Sequence, residues 1–160
     1  MKVFIKIIIL CMFLTGMSFA NEAEMLFRSN LQIPMIFTYV PRGLIISISD
    51  EYFFEKGSER MNLEGIYYLD KIAVLINKIE KDIVVESHYS FEYSKNEQYD
   101  NLWEISLAKA NNITRYLIRC GGVNPEKIFA IGYGEISPLN SNPKFTDRVD
   151  FVILDYKATR

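Results

Sequence analysis

The chain has 160 residues, 18 basic and 20 acidic side chains, a formal net charge of −2 and 49% hydrophobic residues. That length suits one compact core rather than two ordinary domains. The mildly acidic balance excludes a binder that grips nucleic acid or anionic lipid headgroups through a basic stripe.

Residues 1–20 read as an export signal. Lys2 and Lys6 precede an apolar stretch from Ile7 to Leu14, and Ser18-Phe19-Ala20 supplies the small-x-small ending of a processing site. Cleavage after Ala20 is the first expectation. An uncleaved membrane anchor is the alternative, although the run after Lys6 is short for the roughly 20 residues that span a bilayer. A lipid anchor on Cys11 is the third reading, with Leu10 standing where a small residue is wanted. Membrane contact is expected only if this segment is retained. Its removal takes away Lys2 and Lys6, moves the net charge from −2 to −4, and leaves Cys120 as the only thiol, so that no intrachain disulfide can form.

Residues 21–41 read as a linker: a polar lead-in from Asn21 to about Gln32, an extended segment from Ile33 to Val40, and a turn at Pro41-Arg42-Gly43. The domain is placed at 42–156, with 157–160 as a tail. Leu44, Ile46 and Ile48 alternate with Ile45, Ser47 and Ser49, the pattern of a strand. Ile66, Leu69, Ile72, Ala73, Ile76 and Ile79 follow a helical stripe, and Ile83 to Glu86 is a second strand. Leu102, Ile105, Ser106, Ala110, Ile113, Leu117 and Cys120 mark one face of a second helix, which Gly121-Gly122 and then Pro125 stop. Lys127 to Ile131 reads as a strand with a tight exit at Gly132 and Gly134, and Val149, Phe151 and Ile153 alternate in the last one. The order strand, helix, strand, helix, strand, strand predicts an α+β fold, a mixed sheet with both helices packed on one face.

Five blocks stand in order: GLIISISDEYFFEKGS (43–58), LDKIAVLI (69–76), VESH (85–88), WEISLAKA (103–110) and GGVNPEKIFAIGYGEISP (121–138). Together they resemble the OmpA-like domain, the peptidoglycan-associating module of outer-membrane proteins, envelope lipoproteins and the MotB-like motor proteins, with the MotB-like branch resembled most. The resemblance implies a non-catalytic protein of the periplasm or outer membrane that binds peptidoglycan without a covalent bond. In that family an Asp and an Arg clasp the third residue of the stem peptide, commonly diaminopimelate, through an ammonium–carboxylate pair and a guanidinium fork. Residue by residue, the Asp position falls on Ser90 and the Arg position on Lys109. The family's Asn position falls on Leu102, with Asn101 one step away, and Glu55 replaces the Asp of the loop after the first strand. His88 matches the histidine that ends the second strand. The closing basic motif becomes Thr146-Asp147-Arg148-Val149-Asp150, which keeps Arg148. The expected binding set is therefore Ser90, Lys109, Arg148, Glu55, His88 and Asn101.

Each of these has a plainer reading. Lys109, at the edge of the apolar stripe, would lay its stem along the core and expose its ammonium. Glu86 and Glu92 would be solvated surface acids, and His88, with no carboxylate or thiol cluster around it in sequence, a structural hydrogen-bonding group. The chain offers no metal-ligand spacing, nucleophile elbow or phosphate loop, so no cofactor, metal or catalytic residue is expected. The loop FEYSKNEQYD (91–100) supports an alternative: an OmpA-like scaffold that contacts an envelope protein partner and has lost the wall ligand.

Overall fold

The computed structural model describes residues 19–90, 99, 101–136 and 146–155. The expected signal segment up to Ser18, Glu92 with most of its loop, Pro138, Pro143 and residues 156–160 lie outside them. In chain order the elements are helix α1 (Phe19–Asn30), strands β1 (Ile36–Val40) and β2 (Gly43–Ser49), a 3-10 turn (Asp50–Tyr52), helix α2 (Leu63–Lys78), strand β3 (Ile83–His88), helix α3 (Leu102–Arg119), and strands β4 (Ile128–Gly134) and β5 (Arg148–Leu154).

Side-chain caps set where the two long helices start. Asn62 Oδ1 accepts the Gly65 N–H at 2.6 Å to open α2. Asn101 Oδ1 accepts the Glu104 N–H at 3.0 Å while its amide donates back to Glu104 Oε1 at 2.9 Å, a reciprocal box that opens α3. Helix α3 ends where Gly122 takes φ +67° and the Val123 N–H returns to the Leu117 carbonyl at 3.0 Å.

The sheet runs β1-β2-β5-β3-β4. Only β3 and β4 are parallel, joined by α3 as the crossover that a parallel pair requires; the other pairs are antiparallel. Alternation then divides the side chains. Leu44, Ile46, Ile48, Ile83, Val85, Val149, Phe151 and Ile153 face Leu69, Ile72, Ala73 and Ile76 of α2 and Ala110, Ile113 and Leu117 of α3 in one core. Val84, Val152 and Leu154 gather with Ile45 on the other face. The expected mixed α+β sheet with α2 and α3 on one side is the observed one.

Two expectations need correction. The polar lead-in is helix α1, whose Ala20, Ala23 and Phe27 enter the core with Leu31. Six polar or charged residues of the helix masked a stripe of three buried ones. Glu24 and Asn21 accept the Tyr39 hydroxyl, fastening α1 to β1. Strand β4 also runs further than expected, through Gly132-Tyr133-Gly134. Gly132 serves contact with α3 rather than an exit turn: an added Cβ would meet Leu107 N at 2.4 Å. Gly134 holds φ +55°.

On the face away from α2 and α3, the carboxyl half of β3 and the start of β5 bury an ionic group. Glu86 is held by Arg42 through two bonds of 2.6 and 2.8 Å, so the expected surface acid is 2% exposed. Asp150 accepts from Arg148 Nε at 3.1 Å, and His88 Nε2 lies 3.2 Å away, close but poorly aligned for a hydrogen bond. Burial pushes the Asp150 carboxyl up, but contacts with His88 and Ser47 and the Arg148 charge outweigh it and hold the group below the usual carboxylate range.

Phe27→Ala is expected to lower stability by about 3–5 kcal/mol in urea unfolding; a change near zero would mean that α1 is not part of the folding unit. A lowered folded pKa gives stability that is present above the unfolded value of about 3.9 and lost as pH falls through the folded one. Asp150→Asn should therefore cost about 3–5 kcal/mol at pH 7, with the gap to wild type closing as both are unfolded at successively lower pH below about 4. A gap that stays constant down to pH 2 would show that Asp150 is not an ionised partner.

Candidate ligand site at the ends of three strands

Because β5 enters between β2 and β3, the end of β2, the end of β3 and the residues before β5 meet at one edge. Asp50 follows β2, Tyr89 and Ser90 follow β3, and Asp147 precedes β5. The Asp147 carbonyl accepts the Asp50 N–H at 3.1 Å, and its carboxylate Oδ1 accepts the Ser90 N–H at 2.6 Å. One residue thus clips both neighbouring strand ends, the second time through a charge-assisted bond.

Lys109 comes in from α3. It is 1% exposed, and its Nζ donates to Asp50 Oδ2 at 2.5 Å. The same ammonium lies 3.9 Å from the centre of the Tyr89 ring and 5.1 Å from that of Phe54, both favourable cation–π distances. The expectation of an exposed ammonium is corrected: the position faces inward, and an acid waits there. Burial pushes the Asp50 carboxyl above its usual range; Lys109 pulls it down, Asp147 and Glu51 push it up, and the net direction is upward.

The six expected residues do not converge. Ser90 and Lys109 both reach this edge, Ser90 through its backbone bond to Asp147 and Lys109 through Asp50. His88 and Arg148 sit on the other sheet face, in the ionic group with Asp150. His88 Nδ1 lies 3.1 Å from the Ile136 carbonyl oxygen and its ring stacks on Tyr133 at 4.9 Å, so it is not the isolated imidazole of the sequence reading. Glu55 is half-exposed and pairs with Arg60 at 3.0 Å. Asn101 is the cap of α3. Sequence reasoning missed Asp50 and Asp147. The only signal for either was Asp147 itself, an acid where the resembled motif has a base.

Glu86, His88 and Asp150 present ligand atoms within 4.8 Å of one another, a donor set that a cation could use. Guanidinium groups already neutralise both carboxylates, and a divalent ion would have to displace them. Among the described residues no helix is long and apolar enough to cross a membrane.

The model of the OmpA family matches residues 53–150. Motility protein B of Bacillus subtilis (strain 168) is 29% identical over 101 residues, covering 62% of this chain and 39% of that protein. The chain spans about half or less of the length of the curated relatives it matches. Among solved structures, a MotB-like protein from Desulfovibrio vulgaris has the same fold with a TM-score of 0.74 at 22% identity, across 88% of this chain and 91% of that one. The cell wall anchor of the T6SS from Pseudomonas aeruginosa shares it with a TM-score of 0.66 at 18% identity, across 75% and 87%. With the match running from Phe53 through Asp150, over α2, β3, α3 and β4, this chain belongs to the OmpA family.

Proposed function

We propose that this chain is a non-catalytic cell-envelope module, exported by residues 1–20, that binds peptidoglycan non-covalently at the edge formed by Asp50, Ser90, Lys109 and Asp147. Family membership supports this reading, as does the shared fold of a solved protein described as a cell wall anchor. The observation that carries it is that the positions of the resembled clasp remain a built, charged site: Ser90 and Lys109 stand at one edge, each bonded to an acid. His88, the one histidine, lies against a carbonyl, a carboxylate and a phenol ring, which supports a structural rather than a proton-transferring role.

A second reading has its own support. The Lys109 ammonium is closed off by Asp50, as it would be in a scaffold that has given up the wall ligand and contacts an envelope protein instead.

Sedimentation of the full chain with purified sacculi separates the two. Saturable co-pelleting is expected, and it should be lost in Asp50→Asn/Lys109→Met/Asp147→Asn, which removes the buried pair and the neighbouring carboxylate of the edge together. Lys109→Met alone should lower stability by about 3–5 kcal/mol, since it leaves Asp50 buried without its partner, and pairing it with Asp50→Asn should recover most of that. Wild-type protein left in the supernatant with every type of sacculus would decide for the second reading. A folded triple variant that pellets like wild type would move wall binding away from this site.

A further inference from the structure

We infer that this site selects a stem-peptide third residue whose side chain ends in an ammonium with no carboxylate beside it, a lysine- or ornithine-type residue, over diaminopimelate, and that Asp147 receives that ammonium. The inference rests on the wall-binding reading above and concerns which wall is bound.

Three observations converge on it. The first is a relocated acid. Ser90 carries no charge where the resembled clasp has a carboxylate, yet its N–H donates to Asp147 Oδ1 at 2.6 Å. A carboxylate therefore stands within one hydrogen bond of position 90, delivered from the β5 side instead of from β3. Asp147 Oδ2 makes no hydrogen bond among the described residues, and both Ser90 and Asp147 are only part-buried, which leaves that oxygen with acceptor capacity for a ligand.

The second is a closed cation. A ligand carboxylate would need Lys109, but that ammonium is bonded to Asp50, stacked against Tyr89 and sealed from solvent. Arg148, the remaining base of the expected clasp, is on the opposite face with Asp150. Neither is placed to hold a carboxylate in a fork.

The third is the sign of what remains. Among the described residues Lys109 is the cation bonded at this edge, to Asp50, and Asp50 also feels Asp147 and Glu51 as like charges. An incoming ammonium meets opposite charge. The distal carbon of diaminopimelate bears an ammonium and a carboxylate together, and its carboxylate would enter the field of two or three acids, where Lys109, the cation bonded there among the described residues, is already taken by Asp50. Lysine and ornithine lack that group and avoid the repulsion.

The test is equilibrium binding of the full chain to three synthetic stem tripeptides that differ only at the third residue (lysine, ornithine, meso-diaminopimelate), alongside pelleting with sacculi of the matching types. The expected result is at least about tenfold tighter binding of the lysine or ornithine peptide than of the diaminopimelate peptide, the factor that corresponds to about 1.4 kcal/mol. Asp147→Asn keeps an oxygen for the Ser90 N–H but removes the charge. It should weaken the monocarboxylic peptides about tenfold and narrow the gap to diaminopimelate. Ser90→Asp combined with Asp147→Asn returns the carboxylate to position 90 and should restore ammonium binding, which a merely structural role for Asp147 would not do. Equal or tighter binding of diaminopimelate, or an Asp147→Asn variant that binds every peptide like wild type, overturns this inference while leaving wall binding standing. No binding to any peptide or sacculus removes both.

Discussion

Every residue of β5, from Arg148 to Leu154, is buried, and the strand pairs over its full length with β2 on one side and over six residues with β3 on the other. The last of the described elements therefore completes the centre of the sheet. Until it docks, β2 and the β3-α3-β4 unit have no direct strand contact, since β5 is what separates and joins them. The candidate ligand edge is a consequence of the same insertion. Asp50, Ser90 and Asp147 are far apart in sequence and become neighbours because three strand ends terminate together. Asp147, one residue before β5, registers that docking with two bonds, one from each neighbouring strand end.

Asp50 and Asp150 are carboxylates whose environments pull in opposite directions. Asp50 and Asp150 are both largely removed from water, and for each burial is the largest single influence, raising the pKa. Asp150 ends below the ordinary range because it has His88, Ser47 and Arg148 as partners. Asp50 ends above it because it has Lys109 alone, with Asp147 and Glu51 working against it. The number of compensating donors, rather than the depth of burial, decides the outcome. The ion pair of Lys109 and Asp50 is accordingly a weak contributor to stability as a pair and a strong constraint on either partner alone. That asymmetry is what fixes the lysine inward.

Much of this architecture was legible in the sequence, and the parts that were not share a physical cause. Leu44-Ile46-Ile48 and Val149-Phe151-Ile153 alternate because one sheet face meets the helices, and the stripe from Leu69 to Ile76 repeats at helical period because one helix face meets the sheet. Local periodicity reports local burial, so these elements could be read directly. Helix α1 could not, because Phe27 is its one large buried anchor and the rest of its stripe is alanine. Glu86 could not be read either. Its burial depends on Arg42, 44 residues earlier, and nothing near Glu86 in sequence announces that partner. Lys109 was placed on the correct helix and at the edge of the correct stripe, but its orientation is set by Asp50, 59 residues away. Side chains whose environment is made by a distant charge are the ones that pattern alone misplaces.

The residues that build the scaffold are mostly not those that carry the charge of the candidate site, so substitution at the charged positions leaves the fold's own contacts in place. Asn62 and Asn101 open the helices, Gly132 admits α3 against β4, and Tyr133 stacks on His88. None of these depends on what stands at 90 or 109. Asp147 is the exception, because the carboxylate that would meet a ligand is also the acceptor that ties β3 to the start of β5. An ammonium arriving at its second oxygen would leave the Ser90 bond in place and add a second charge-assisted contact to the same group. Binding would then tighten the strand ends that define the site, so that ligand affinity and the local order of this edge rise together through one side chain.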